Sequence, residues 1–362
     1  MLKIVPVIRQ SQVRRFMDLS WRVHSDPATL WVPPVWMHLR QLMGRLRDPE
    51  RRFLLALEDG EPVARVGVKI HGDALHFGFL ECVQGHREAL VRLLEEAHQL
   101  APQLPMRGPY HFRLEESYSG LLVEGFEYEP YFLMPYNPAY YLEYLEQAGM
   151  HKLKDLYAYE ILPDSARLEV ARRAAQRAEQ CGVEVRTLNR SRLTEDVRSM
   201  AEVFDSALSG NWGFEPIDEE QVQALLLLTR YFLDPKLVWL ASYEGREVGS
   251  LFLLPNYNPL IKASRGRITP GFVLRYLWGR KSIDRFRGYA LGVRRDLGAD
   301  LSGAMVAGAL ANAVLSEGVR VKWRALEVSW VLEDNQPMNS LARILGGRRY
   351  KIYRVLEKPA LR

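Results

Sequence analysis

Between Ala290 and Gly347 the 362-residue sequence gathers the groups best suited to handling an anion and moving a proton. An apolar run ending at Val293 is followed by Arg294-Arg295-Asp296-Leu297-Gly298-Ala299-Asp300, and then by a small, alanine-rich stretch from Leu301 to Leu315. Adjacent guanidinium groups, a glycine that lets backbone approach closely, and a helix starting near Asp300 make a phosphate or pyrophosphate site. The unpaired N–H groups of a first helical turn point at the ligand and the helix dipole favours negative charge there. Leu297 to Leu301 are the expected backbone donors, with Arg294 or Arg295 adding charge. Further on, Glu333-Asp334-Asn335 closes a second apolar alternation and sets polar groups where a ligand can meet a sheet edge. All eight histidines lie at or before His151, which excludes serine–histidine or cysteine–histidine machinery built within the second half.

These groups need elements to position them. The β-branched and apolar residues up to Val293 read as a buried strand, and the basic glycine-bearing run after it as a turn. Leu301–Leu315 is too long and too alanine-rich for a strand and reads as a helix, Val321–Glu333 alternates as a strand, and Asn335 opens a further helix as its cap.

The same order of elements occurs earlier in the chain. Leu55–Val63, LALEDGEPV, aligns with Leu240–Val248, LASYEGREV, sharing L-A-x-x-x-G-x-x-V at an offset of 185, and each reads as two strands joined at Gly60 or Gly245. Asn137–Gly149 aligns with Asn335–Gly346, each leading into a strand, His151–Ile161 or Arg348–Glu357. Duplication of one unit is the simplest cause. The first copy reads as strand Leu2–Ile8, helices Gln10–Val23 and Val35–Arg45, strands 53–58, 62–70 and 75–83, and helix Arg87–Leu100. A helix over Ser165–Gln180 links the copies. The second reads as strand Val183–Leu188, helices Leu193–Leu208 and Glu219–Tyr231, and a hairpin over 237–254. Between strand and helix the first copy has only Gln84-Gly85-His86, with no basic loop, and reads as degenerate.

This strand, basic loop, helix, strand and Asn-started helix resembles the acyl-CoA-binding core of the GNAT superfamily of acyltransferases. Its phosphate loop, Q/R-x-x-G-x-G/A, is matched by Arg295 and Gly298, with Asp300 at the third fixed position. Over nearly the full length, phrases such as GPYHF, NWGFEP and SWVLEDN resemble an uncharacterised bacterial group of tandem, two-copy GNAT proteins. The resemblance implies an α/β (α+β) fold of two GNAT-like domains, 1–162 and 183–362, joined by a linker helix over 163–182. Each would hold a mixed, largely antiparallel sheet flanked by helices.

It also implies chemistry: direct attack of an amine on the thioester of acetyl-CoA or another acyl-CoA, with no covalent enzyme intermediate and no metal. Val293, Arg294, Arg295, Leu297, Gly298, Ala299 and Asp300 would hold the coenzyme, and Asn335 would orient its pantetheine arm. Glu333 is the candidate base. A superfamily tyrosine in the helix after the asparagine is replaced by Ala342, which moves the acid role to Tyr350 or Tyr353 on the last strand. Trp212 and Glu215, in a loop on the acceptor side, suit a cationic amine. The expected partner is a small-molecule or peptide amine. A non-catalytic ligand-binding or scaffold protein, and a transferase using aminoacyl-tRNA, are the other classes these features admit.

Composition bounds these readings. At 48% hydrophobic and 26% charged residues the chain has the make-up of a folded globular protein, long enough for two domains. Residues 161–362 carry a net charge of +8 against −3 for residues 1–160, and Lys262–Arg295 holds ten basic residues and one acidic. That stretch suits coenzyme phosphates or an RNA backbone; no specific nucleic-acid partner is expected. The longest apolar run, within Met305–Leu315, is shorter than the roughly 18 residues of a membrane span, and MLKIVPVIRQ has no signal-peptide core, so a cytoplasmic protein without a membrane partner is expected. Cys82 and Cys181 lie far apart, without metal-ligand spacing, and both read as buried thiols.

Overall fold

A computed structural model of the chain describes every residue except 36–38, 41–42, 45, 112–117, 232–233, 298–300 and 362, and only the backbone of 220, 224, 227, 228 and 231. The principal elements in chain order are β1 (Leu2–Pro6), α1 (Gln10–Val23), β2 (Arg51–Glu58), β3 (Glu61–His71), β4 (Ala74–Cys82), α2 (Arg87–His98), β5 (Met106–Gly108), β6 (Leu121–Glu124), α3 (Tyr140–Gln147) and β7 (His151–Ile161). They continue with α4 (Leu168–Gln180), β8 (Glu184–Thr187), α5 (Leu193–Leu208), α6 (Glu219–Tyr231), β9 (Val238–Tyr243), β10 (Arg246–Pro255), α7 (Asn258–Ala263) and α8 (Pro270–Gly279). The last are β11 (Arg285–Val293), α9 (Gly303–Arg320), β12 (Ala325–Leu332), α10 (Gln336–Ile344) and β13 (Arg348–Lys358). The helix expected over Val35–Arg45 falls largely outside the described residues.

Contacts divide the chain into two compact units. One comprises Met1–Tyr157, Tyr257–Lys281 and Tyr350–Arg362; the other comprises Ala158–Asn256 and Ser282–Arg349. In the first unit β1 to β4 form an antiparallel meander and β5 lies parallel to β4. β13 pairs antiparallel with β5 and β6. In the second unit β8 to β11 are antiparallel and β12 lies parallel to β11. A parallel pair needs a crossover, and α2 or α9 supplies it. Each unit therefore has the expected mixed, largely antiparallel sheet with helices against it, in the same order.

Turn chemistry explains the two hairpins that the sequence shares. Asp59-Gly60 has φ of 49° and 86°, and Glu244-Gly245 has 50° and 78°. Two central residues with positive φ match the right-handed twist of the flanking strands, and the glycine carries the more demanding position without a steric cost. Below the sheets, Leu90, Leu93 and Leu94 of α2 enter one core of the first unit. Val306, Leu310 and Val314 of α9 enter that of the second.

Three sequence expectations need correction. α9 begins at Gly303, not near Asp300, because Leu301 is buried in the core and Ser302 caps the helix, its hydroxyl accepting from the Met305 amide at 3.3 Å. β12 begins at Ala325, not Val321, since α9 runs on to Arg320 and turns at Lys322, φ 53°. Cys181 is exposed at the end of α4, whereas Cys82 is buried as expected and burial pushes its thiol up to about 12. The helices α7 and α8 were not read from the sequence.

Candidate functional site

In the second unit β11 and β12 pair from Arg285 with Ala325 to Gly288 with Val328, and there the described ladder stops, although β11 continues to Val293 and β12 to Leu332. The two strands fork. On its other side β11 bulges at the same level: Phe252 faces Ala290 and Leu253 faces Gly288, leaving Tyr289 as the extra residue. A bulge re-aims backbone groups and bends the strand away from its neighbour. The carboxyl ends of a parallel pair are where open sheets bind ligands.

A buried ionic cluster sits at the base of this fork. Arg287 and Glu327 face each other in the ladder and are 3% and 0% exposed, so both charges must be satisfied internally. Arg287 donates from Nε to the Ser329 hydroxyl at 2.9 Å and from Nη2 to the Ser329 carbonyl at 3.3 Å, while that hydroxyl donates to Glu327 at 2.5 Å. The guanidinium thus takes over a strand carbonyl just beyond the last paired residue. Across the same end, Asn339 of α10 donates to the carbonyls of Leu332 and Glu333 at 2.9 and 3.3 Å and accepts from the Tyr159 hydroxyl at 2.8 Å. This fixes the backbone that carries Glu333. Sequence reasoning singled out none of Arg287, Glu327, Ser329, Asn339 and Tyr159. Glu327 in the apolar run ALEVSWVL was the available signal.

Val293 and Leu297 lie under the first turn of α9: a Cβ at Gly303 would be 3.7 and 3.9 Å from their side chains. Gly303 and Ala304 are exposed and small, so their amides are accessible to a phosphate group, and Ser302 has satisfied only that of Met305. Gly298, Ala299 and Asp300 lie outside the described residues. The two arginines are engaged rather than pendant. Arg294 donates to Asp296 at 3.1 Å and Arg246 does so at 2.6 Å, and these hydrogen bonds hold the Asp296 carboxyl below its usual range. Arg295 reaches the Ala207 carbonyl at 3.3 Å and rests against Gly210. That contact ties the basic loop to the segment holding Trp212 and Glu215, both half-buried, and Ile217 is bonded to Asp205 of α5 at 2.9 Å.

Glu333 is half-buried and Asp334 exposed, in a turn, since β12 ends at Leu332. Strand alternation therefore does not extend to them. Asn335 caps α10, accepting from the Met338 amide at 3.1 Å. The structure brings Val293, Arg294, Arg295, Leu297, Glu333 and Asn335 to the carboxyl ends of one parallel pair. Tyr350 and Tyr353 belong to the first unit. There Tyr353 is fully buried, and Tyr350 accepts from Lys351 at 3.2 Å and packs edge-on against Tyr128.

The first unit also bulges next to its parallel pair, in β4 between Gly78 and Glu81, but there the two segments stay joined beyond His76 and Arg107, the Tyr110 amide donating to the Phe77 carbonyl at 2.9 Å. A pocket of about 90 Å3 opens there, lined by Gly78, Glu81, Pro109, Tyr110, Tyr136 and Tyr141 among others. Burial would raise the Glu81 carboxyl, but His24, Arg65 and the Tyr141 hydroxyl outweigh it and hold it at about 2. The turn before α2 is closed by tyrosines of α3: the Gly85 amide donates to Tyr144 at 2.9 Å and the Cys82 amide to Tyr141 at 2.7 Å. Among the described residues no group of three or more His, Cys, Asp or Glu could hold a metal ion.

No family model matches the chain. It is 29% identical to the bacterial ceramide synthase of Caulobacter vibrioides over 99% of this chain and 97% of that protein. Among solved structures it resembles a GCN5-related N-acetyltransferase from Sphaerobacter thermophilus, with 17% identity, 99% of this chain, 95% of that one and a TM-score of 0.55. It also resembles the tandem GNAT protein from the clavulanic acid biosynthesis pathway, with 12% identity, 99% of both chains and a TM-score of 0.52. The chain has the GNAT fold, in the tandem form expected.

Proposed function

We propose that the second unit transfers an acyl group from an acyl-CoA thioester to the primary amine of a long-chain amino alcohol. The observation that carries this reading is the near full-length likeness to a protein named a ceramide synthase, since a ceramide is the amide of a fatty acid with such an amine. The forked, bulged pair β11–β12 supports the chemistry and the open first turn of α9 supports the coenzyme.

In this reading the coenzyme's diphosphate rests on the amides of Gly303 and Ala304 beside Arg294 and Arg295, and its pantetheine arm passes Asn335. The thioester carbonyl lies at the fork, accepting from backbone N–H at the Tyr289 bulge, which stabilises the oxyanion as it forms. The amine nitrogen attacks the carbonyl carbon; the C–N bond forms, the C–S bond breaks, and Glu333 accepts the proton the nitrogen loses. The thiolate leaves and takes a proton from solvent, since Tyr350 and Tyr353, the donors expected from the sequence, belong to the first unit. Trp212 and Glu215 flank the acceptor as the amine is drawn in as a cation, which releases one proton to solvent before the neutral nitrogen attacks and gives its second to Glu333.

The test is acyl-CoA turnover on a panel of amines, a sphingoid-type amino alcohol, a polyamine and a peptide amine, read as free thiol and as product mass. Amide formation on the long-chain amino alcohol is expected. Preference for the polyamine or peptide would overturn the substrate class, and no thiol release with any amine would favour a ligand-binding protein.

A further inference from the structure

We infer that α8 is an interfacial anchor that lays the first unit on an anionic lipid bilayer. The sequence reading expected no membrane partner, and among the described residues no helix is long and apolar enough to cross a membrane. Lying in the interface is a different requirement: a short helix with an outward apolar face and basic flanks.

Among the described residues thirteen large hydrophobics are exposed, and five of them, Ile268, Val273, Leu274, Leu277 and Trp278, fall within eleven consecutive positions. Trp278 is 80% exposed. On α8 the four apolar residues at 273, 274, 277 and 278 form one i, i+4 face, while Phe272, Tyr276 and Gly279 form the half-buried inner face. That inner face is held in place: Tyr276 packs on Tyr257 at 5.6 Å, and a Cβ at Gly279 would be 3.1 Å from Leu260. α7 is held to the unit in turn, by Asn258 donating to the Pro130 carbonyl at 2.6 Å and Lys262 donating to that of Thr29 at 3.2 Å. The outward face is therefore presented by a supported helix.

Charge decides which partner fits. Residues 257–281 hold six Lys and Arg and no Asp or Glu, and Arg267, Arg280 and Lys281 bracket the apolar face, all exposed. A tryptophan beside leucines, flanked by basic residues, matches a leaflet of anionic headgroups over acyl chains. A protein groove would match the apolar face but not the uniform charge. A helix of ten residues is about 15 Å long, enough to lie at the headgroup boundary.

The test is co-sedimentation of the full chain with phosphatidylglycerol/phosphatidylcholine vesicles against pure phosphatidylcholine, and it needs no turnover, so it stands apart from the acyl-transfer reading. Binding to the anionic vesicles is expected, weakening as salt rises, and at least tenfold weaker in Leu277→Ser/Trp278→Ser, whose thermal midpoint and light-scattering mass should equal those of wild type. Equal binding by the double variant, or none by wild type at low salt, would overturn the proposal. A dimer that the double variant dissolves would do so as well, by assigning the face to a second copy.

Discussion

Glu333 stands one residue beyond the end of β12, half-buried, with its carbonyl held by Asn339, so its backbone is fixed, and the proposed function makes its carboxylate the base. Removing a positioned base lowers the rate by about 10² to 10⁴. Glu333→Gln is expected to lose that much with coenzyme affinity unchanged, and Asp334→Asn to stay near wild type; a loss only in Asp334→Asn would assign the base to the exposed neighbour. In the first unit Glu81 makes a stability prediction. Its carboxyl sits at about 2 in the folded chain against an ordinary 4.5, so between those pH values the unfolded chain binds more protons. The stability it contributes, on the order of 3 kcal/mol, is full above about pH 5 and falls away as pH drops toward 2. Urea unfolding from pH 7 to pH 3 should show this slope, and Glu81→Gln should flatten it from a lower start.

Among the elements, α9 carries a tight packing constraint. Gly308 faces Ala174 of α4 so closely that any added carbon collides with it, whereas helix propensity alone would welcome a larger residue. Gly308→Val is expected to destabilise by about 1–3 kcal/mol, read as a lower urea midpoint at an unchanged slope. This level was the most legible in the sequence. Hairpins at Gly60 and Gly245 follow from local turn chemistry, and α1, α5, α6 and β7 occupy the expected ranges because their apolar periodicity is long. The start of α9 was misplaced because Asp300 and Ser302 are equally good caps, and only burial of Leu301 chooses between them. The Arg287–Glu327–Ser329 cluster was hidden for another reason: its members meet across a parallel pair separated by a helix, and no local pattern reports that register. α8 was passed over because its apolar face turns outward, where core-seeking periodicity does not look.

At the scale of the molecule, two units share one order of strands and helices, and both bulge next to the parallel pair, but only the second is seen to fork there. They differ at the turn before the crossover helix. The first unit closes it with Tyr141 and Tyr144, and the second leaves Gly303 and Ala304 exposed after a loop that gathers three arginines and a carboxylate, Arg246, Arg294, Arg295 and Asp296. The proposed function accordingly places one coenzyme per chain, in the second unit. Gly303→Asp separates binding from folding, because a carboxylate in a first helical turn favours the helix and repels a phosphate. The decisive measurement is calorimetric titration of CoA into wild type, Gly303→Asp and Tyr144→Phe. One site per chain is predicted, weakened at least tenfold by Gly303→Asp and unchanged by Tyr144→Phe; two sites, or one indifferent to Gly303→Asp, would contradict a coenzyme site in the second unit alone.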